Sequence, residues 1–218
     1  MKRLLLALLC IMAAIPTVCA QNCLDTPIKI KEKSGDFTIG PFFDVHAGVS
    51  LTSLCIGKKD ERLSGERAGF VAGVGAEVPF RDGWGYIAFH PSLDFVLKRA
   101  RNLLDYGQNT TFGRIYNACC VETSFCFRYN QKFGPNGRLF FGLGPAFSLG
   151  VCGKTGGENT FNTARRFNLG LRGSMGYRHK RYFAELGGSG GFLNDIDKKV
   201  VGGRNGFATV TIVIGRSF

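Results

Sequence analysis

Along most of this chain apolar and polar residues alternate with a period of two, which puts successive side chains on opposite faces of an extended strand. The pattern recurs in eight stretches. The first sets Phe37, Ile39, Pro41, Phe43, Val45, Ala47, Val49 and Leu51 against Thr38, Gly40, Asp44, His46, Gly48 and Ser50, with Phe42 the one large apolar residue on the polar face. The second opposes Ala68, Phe70, Ala72, Val74, Ala76, Val78 and Phe80 to Arg67, Gly69, Gly73, Gly75 and Glu77; the third opposes Ile87, Phe89, Pro91, Leu93, Phe95 and Leu97 to Tyr86, His90, Ser92, Asp94 and Lys98. The fourth runs from Ile115 to Tyr129, with Cys119, Val121, Phe125 and Phe127 alternating with Cys120, Glu122, Ser124 and Arg128. The fifth alternates Leu139, Phe141, Leu143, Pro145, Phe147, Leu149 and Val151 with Arg138, Gly142, Gly144, Ser148 and Gly150, and Phe140 interrupts its polar face. The sixth carries Phe167, Leu169, Leu171, Met175 and Tyr177, the seventh Tyr182, Ala184, Leu186 and Phe192, and the eighth Ala208, Val210, Ile212, Ile214 and Phe218. A helix explains none of these periods.

The connections alternate too. Those around Gly83, Gly134 and His179 are short, and Asp82-Gly83 is a hairpin signal. Those near 58–66, 100–111, 153–164 and 194–205 are longer and polar. Eight strands suffice to close a barrel, and long outer loops alternating with short periplasmic turns are the arrangement of outer-membrane barrels. The predicted fold class is all-β: an eight-stranded antiparallel up-and-down transmembrane β-barrel over residues 36–218, with both termini in the periplasm. Pro41 and Pro91 suit barrel bends better than a flat central sheet.

The N-terminus has the form of an export signal. Lys2 and Arg3 precede an apolar core from Leu4 to Ile15, and Val18-Cys19-Ala20 supplies the small residues of a cleavage site, which predicts a signal peptide over 1–20. Residues 21–35 read as a polar periplasmic segment with Lys29, Lys31 and Lys33. The expected location is the outer membrane of a diderm bacterium. Losing Lys2 and Arg3 takes the formal net charge from +12 to +10. For an exported chain this points to anionic lipid headgroups or lipopolysaccharide phosphates rather than nucleic acid. Six cysteines remain after cleavage: Cys23, Cys55, Cys119, Cys120, Cys126 and Cys152. Their spacing is not that of a zinc site. A Cys55–Cys152 bond between outer loops is one disulfide option, small apolar packing the other.

Which face meets solvent decides the class. A soluble lipocalin-like ligand-binding barrel would point its apolar face inward. The lipid-facing alternative is favoured because the polar face carries both charge signs and many glycines. Asp44, His46, Glu77, His90, Asp94, Glu122, Arg128, Arg138, Arg172 and Glu185 are expected to form a polar network in the lumen. Phe37, Phe80, Trp84, Phe127, Tyr129, Tyr177, Tyr182 and Phe218 fall near strand ends, as in an interfacial aromatic belt.

The segment Val121-Glu122-Thr123-Ser124-Phe125-Cys126-Phe127-Arg128-Tyr129 resembles the acidic-to-basic-aromatic strand of the PorT-like outer-membrane β-barrel domain family, porin-family proteins of Bacteroidetes-type bacteria. Phe141-Gly142-Leu143-Gly144-Pro145 resembles that family's following strand, and Phe218 the terminal signal read by the barrel assembly machinery. Ser124 replaces the usual proline, and Arg216 an aromatic. The resemblance implies an outer-membrane barrel and, in some members, a part in protein secretion.

Chemical motifs are weak. Ser148 to Thr155 approaches a phosphate-binding loop, but no amphipathic helix follows. His46, His90, Asp44 and Asp94 lie on inward faces; strand two separates the pairs, which favours a structural network over a metal or acid–base site. No serine nucleophile on a defined strand-to-helix turn is evident. No catalytic, cofactor-binding or metal residue is assigned. A basic outer rim of Lys58, Lys59, Arg62, Lys98, Arg99, Arg101, Lys154, Arg165, Lys198, Lys199 and Arg204 could meet lipopolysaccharide phosphates or merely be solvated. The expected function is a non-enzymatic, monomeric barrel that displays four polar, basic loops in an envelope-structural, surface-binding or adhesion role. The alternatives are a narrow porin-like channel for ions or small solutes and an accessory of outer-membrane secretion.

Overall fold

The computed structural model describes residues 41–56, 64–80, 85–102, 115–162, 164–193, 195 and 205–218. The expected signal peptide and periplasmic segment lie outside these residues. So do 57–63, 103–114 and 196–204 of the long connections. The elements are β1 (Phe42–Ile56), β2 (Ser64–Pro79), β3 (Gly85–Asn102), β4 (Ile115–Lys132), β5 (Gly137–Thr155), β6 (Glu158–Asn159), the 3₁₀ turn η1 (Thr160–Asn162), β7 (Phe167–His179), β8 (Tyr182–Gly191) and β9 (Asn205–Ser217). Every long strand pairs antiparallel with its sequence neighbour. β1 also pairs with β9, from Asp44 opposite Ser217 to Ile56 opposite Asn205. That last ladder closes the eight long strands into a ring, β1-β2-β3-β4-β5-β7-β8-β9. The sixth, seventh and eighth stretches read from the sequence are β7, β8 and β9.

The alternation of the sequence is inverted relative to a water-soluble protein. Side chains buried in the lumen include Asp44, Glu77, Asp94, Glu122, Arg128, Arg172, Arg178 and Glu185, while Val45, Val49, Phe70, Val74, Leu143, Leu171, Leu186, Ile212 and Ile214 are exposed on the outside. Ile214 is 71% exposed and Glu77 0%. Continuous apolar surface of this extent is incompatible with water and matches the outward band of a membrane barrel. The soluble lipocalin-like alternative is thereby overturned: it requires the opposite faces.

Three differences from the sequence reading have physical causes. Phe140 and Phe42, the two apolar interruptions of polar faces, turn inward with their neighbours. Phe140 is fully buried, and the Phe42 ring lies 4.2 Å from the Arg178 guanidinium. The connection 153–164 is not simply a polar loop: β5 continues to Thr155, β6 folds back with Lys154 opposite Asn159, and η1 follows. Finally, Cys55 cannot bond Cys152 in this ring. The Cys55 backbone, one residue before the end of β1, lies opposite Gly206 of β9, whereas Cys152 is on β5, four strands around the ring.

The turn from β4 to β5 uses Gly134 at φ 75°, a left-handed conformation natural to glycine. The turn from β7 to β8 places Lys180, a residue with a Cβ, at φ 54°. At this short-turn end Phe80, Phe127, Tyr129, Tyr177, Tyr182 and Phe218 are all exposed. Phe80 and Phe127 lie 6.4 Å apart, and Phe127 and Phe89 5.7 Å. Aromatic rings gathered at one level, the amphipathic Tyr129, Tyr177 and Tyr182 among them, suit a bilayer interface. Phe37 and Trp84 lie outside the described residues.

Candidate functional site: a charged lumen and its two mouths

Inward positions of all eight strands converge on one file of side chains, in three tiers. The short-turn tier is aromatic and ionic. Arg178 on β7 meets Glu77 on β2 at 3.2 Å, and the Tyr86 hydroxyl donates to the other Glu77 oxygen at 2.8 Å. Arg178 also faces the rings of Phe140 and Phe183 at 5.8 Å each. Arg138 lies 5.0 Å from the Tyr86 ring at the mouth. These cation–π contacts satisfy guanidinium faces that water would otherwise solvate.

The middle tier joins distant strands through arginine. Arg128 on β4 donates to Glu185 on β8 at 2.5 Å. Arg172 on β7 donates to Asp94 on β3 at 2.5 Å and to Glu185 at 3.3 Å. His46 sits between two carboxylates, its Nδ1 3.1 Å from Asp44 and its Nε2 2.7 Å from Asp94. His90 Nε2 lies 2.9 Å from the second Asp44 oxygen. The sequence argument that strand two separates these pairs fails here for a simple reason. The intervening β2 residues are Gly73 and Gly75, and the imidazoles fill the space their side chains would take: a Cβ on Gly75 would come within 2.8 Å of His90, and one on Gly73 within 2.8 Å of His46 Nε2.

The third tier, toward the long loops, is smaller and more neutral. Lys98 pairs with Glu122 at 2.6 Å and donates to Ser148 at 3.3 Å. The Thr52 and Thr209 hydroxyls meet at 3.2 Å. Asn168 donates to Asp195 at 2.5 Å, and the Phe207 amide donates to the other Asp195 oxygen at 2.6 Å. Burial pushes the Asp195 carboxyl above its ordinary range, against the pull of these two donors. Above them the β5–β7 connection bends over the mouth. Thr160 donates to the Asn117 carbonyl at 2.9 Å, and Phe161 occupies the room left by Gly150. Two cavities of about 20 Å³ each remain beneath it, lined in common by Lys98, Ser148, Asn168, Asp195 and Phe207. Each has room for about one water.

Of the ten residues expected in the lumen, Asp44, His46, Glu77, His90, Asp94, Glu122, Arg128, Arg172 and Glu185 are buried there, and Arg138 stands half-buried at the short-turn mouth. Three further members were not among those ten. The alternation already sets Arg178 and Lys98 on the polar faces of their strands without counting them in the network; Phe183 sits among the residues of a nominally polar face. Lys98, which the sequence reading set on the third strand's polar face and also counted in the outer rim, is turned inward to Glu122. Of the rim, Lys154 and Arg165 are exposed and Arg99 donates to Asn117 at 2.9 Å. Of Arg101 only the backbone, opposite Ile115, is described. Lys58, Lys59, Arg62, Lys198, Lys199 and Arg204 lie outside the described residues. Phe218 is exposed; its amide donates to the Phe43 carbonyl at 2.8 Å, and Arg216 lies 5.1 Å from its ring.

The arrangement offers little reactive chemistry. Among the described residues no group of three or more His, Cys, Asp or Glu side chains is placed to hold a metal ion. His90, Asp44, His46 and Asp94 form one buried hydrogen-bonded chain rather than facing a cleft. Ser148 to Thr155 is extended strand with no helix to cradle a phosphate. Gly187-Gly188-Ser189-Gly190-Gly191 has the spacing of a nucleophile elbow, but it lies within β8 and its Ser189 is opposite Arg172.

Ring closure, an outward apolar band and an ionic interior define a membrane-spanning β-barrel. The sequence profile of the outer membrane protein beta-barrel domain matches residues 24–197. The chain belongs to that family, and its place is the outer membrane. No curated protein matches the chain. Among solved structures it is similar to Neisserial surface protein A, at 12% identity over 81% of this chain and 97% of that one, with a TM-score of 0.49. It is similar to Ail, the attachment invasion locus protein of Yersinia pestis, solved with the heparin analogue sucrose octasulfate, at 10% identity over 83% and 100%, TM-score 0.43. It is also similar to the outer membrane enzyme PagL, at 12% identity over 79% and 98%, TM-score 0.46. An attachment protein beside an enzyme carries no function across to this chain.

Proposed function

We propose that this protein is a non-enzymatic outer-membrane anchor: a sealed barrel that holds four long connections at the cell surface as a binding platform. The observation that carries the reading is the filled lumen. Glu77, Phe140 and Asp94 are each 0% exposed, and three tiers of paired side chains stand between the two mouths. An interior of this width is occupied by its own side chains, which supports an anchor over a channel. The exposed Lys154 and Arg165 at the long-loop end support a finer reading, contact with lipopolysaccharide phosphates. The PorT-like resemblance of β4 and β5 adds that of a secretion accessory to the roles such a platform could serve.

The test is conductance. Purified protein in planar bilayers is expected to give no discrete steps above the lipid baseline at either polarity. Reproducible unitary currents that vanish with a refolding-defective control would overturn the anchor and install the narrow channel. Binding to lipopolysaccharide and to its dephosphorylated form then separates phosphate contact from a bare scaffold, with tighter binding to the phosphorylated form expected.

A further inference from the structure

Cys119 on β4 and Cys152 on β5 stand directly opposite one another in the antiparallel ladder. Their alignment depends on one extra residue. Up to Cys120 opposite Gly150 the register is regular, and it would carry Val151 opposite Cys119. A bulge at this point leaves Val151 over and brings Cys152 there instead. Both thiols face outward near the long-loop end: Cys152 is exposed and Cys119 is half-buried. Directly opposed residues in such a ladder have Cα atoms about 4.5–5.5 Å apart, inside the span a disulfide bridges. The other described thiols do not compete. Cys120 and Cys126 are buried on the inner face of the same strand.

We propose that Cys119 and Cys152 form a cross-strand disulfide in the mature protein, a covalent staple at the root of the mouth-covering connection. The partner that makes it is a protein disulfide of an envelope thiol oxidoreductase. The Cys152 thiolate, the more open of the two, attacks one sulfur of that disulfide. This gives a mixed disulfide and releases the oxidoreductase's first thiolate. The Cys119 thiolate then attacks the Cys152 sulfur and releases the second. Two thiols of the barrel lose two protons and two electrons, and the oxidoreductase leaves as the dithiol. The staple closes beside Asn117, whose carbonyl receives Thr160, so it fixes the strand pair on which the lid of the long-loop mouth rests.

The experiment traps the thiols in intact cells with acid, alkylates free ones, and digests the isolated protein with trypsin without reductant. Cys152 falls in the peptide 139–154, and Cys119 shares 115–128 with Cys120 and Cys126. A linked pair whose fragmentation joins Cys119 to Cys152 is expected. The C119S variant should carry an alkylated Cys152 while keeping its heat-modifiable gel shift, which shows that the barrel still closes. Both cysteines alkylated in acid-trapped cells would overturn the proposal, even if a link appears later during purification in air. So would a Cys152 linked elsewhere.

Discussion

The two halves of the lumen are built on different plans. Toward the short turns, the ion pairs cross the barrel: Glu77 on β2 to Arg178 on β7, Arg128 on β4 to Glu185 on β8, Asp94 on β3 to Arg172 on β7. Toward the long loops, Lys98 and Glu122 join adjacent strands, and hydroxyls and amides do most of the rest. The deep half is a set of braces that fixes barrel diameter. The outer half is a soft stopper that seals the mouth with weaker, local contacts. The anchor proposed above would use both, the deep half to resist deformation and the outer half to support the loops.

This contrast can be broken at its strong end first. Glu77→Gln removes the carboxylate shared by Arg178, Arg128 and Tyr86, leaving buried guanidinium charge uncompensated. The expected loss is about 3–5 kcal/mol, read as a lowered urea midpoint of the heat-modifiable band. A loss under about 1 kcal/mol would mean that the braces are dispensable. Lys98→Met tests the soft end. That pair sits nearer solvent and between strands already joined by a ladder, so the expected loss is about 1–2 kcal/mol. A larger loss than at Glu77 would invert the comparison. Outside the lumen, Lys180→Gly relieves a left-handed residue in the β7–β8 turn and should raise stability by about 1 kcal/mol. No change there would show that the turn relaxes without strain.

Strand number, order and facing were legible because alternation is a local signal repeated eight times. The same signal placed Asp44, Glu77, Glu122 and Arg172 on inward faces. It could not say which charges meet, since the partners sit on strands far apart in the chain. Phe140 looked like a defect of its strand; the lumen shows why an apolar ring is wanted there, with the Arg128 guanidinium 4.6 Å from its centre. Gly73 and Gly75 looked like simple fillers of a narrow barrel, whereas they make room for His46 and His90. The Cys119–Cys152 alignment was hidden for a different reason: it depends on a bulge, and one inserted residue leaves no trace in composition or period. The lid formed by β6 and η1 was equally silent, being two residues of strand and three of turn held by Thr155, Thr160 and Asn117.

The crossing braces also bear on how such a barrel comes into being. Glu77 and Arg178 are 101 residues apart, and Asp94 and Arg172 are 78 apart. A sheet that had entered the bilayer with only β1 to β4 in place would carry Glu77 without Arg178 and Asp94 without Arg172, and its open edges without partners, at a cost that hydrocarbon does not tolerate. No half-barrel is therefore a resting state in lipid. Insertion and ring closure are therefore expected to be coupled, with Arg172 and Arg178 from the second half of the chain completing the charge pairing of carboxylates that the first half carries inward.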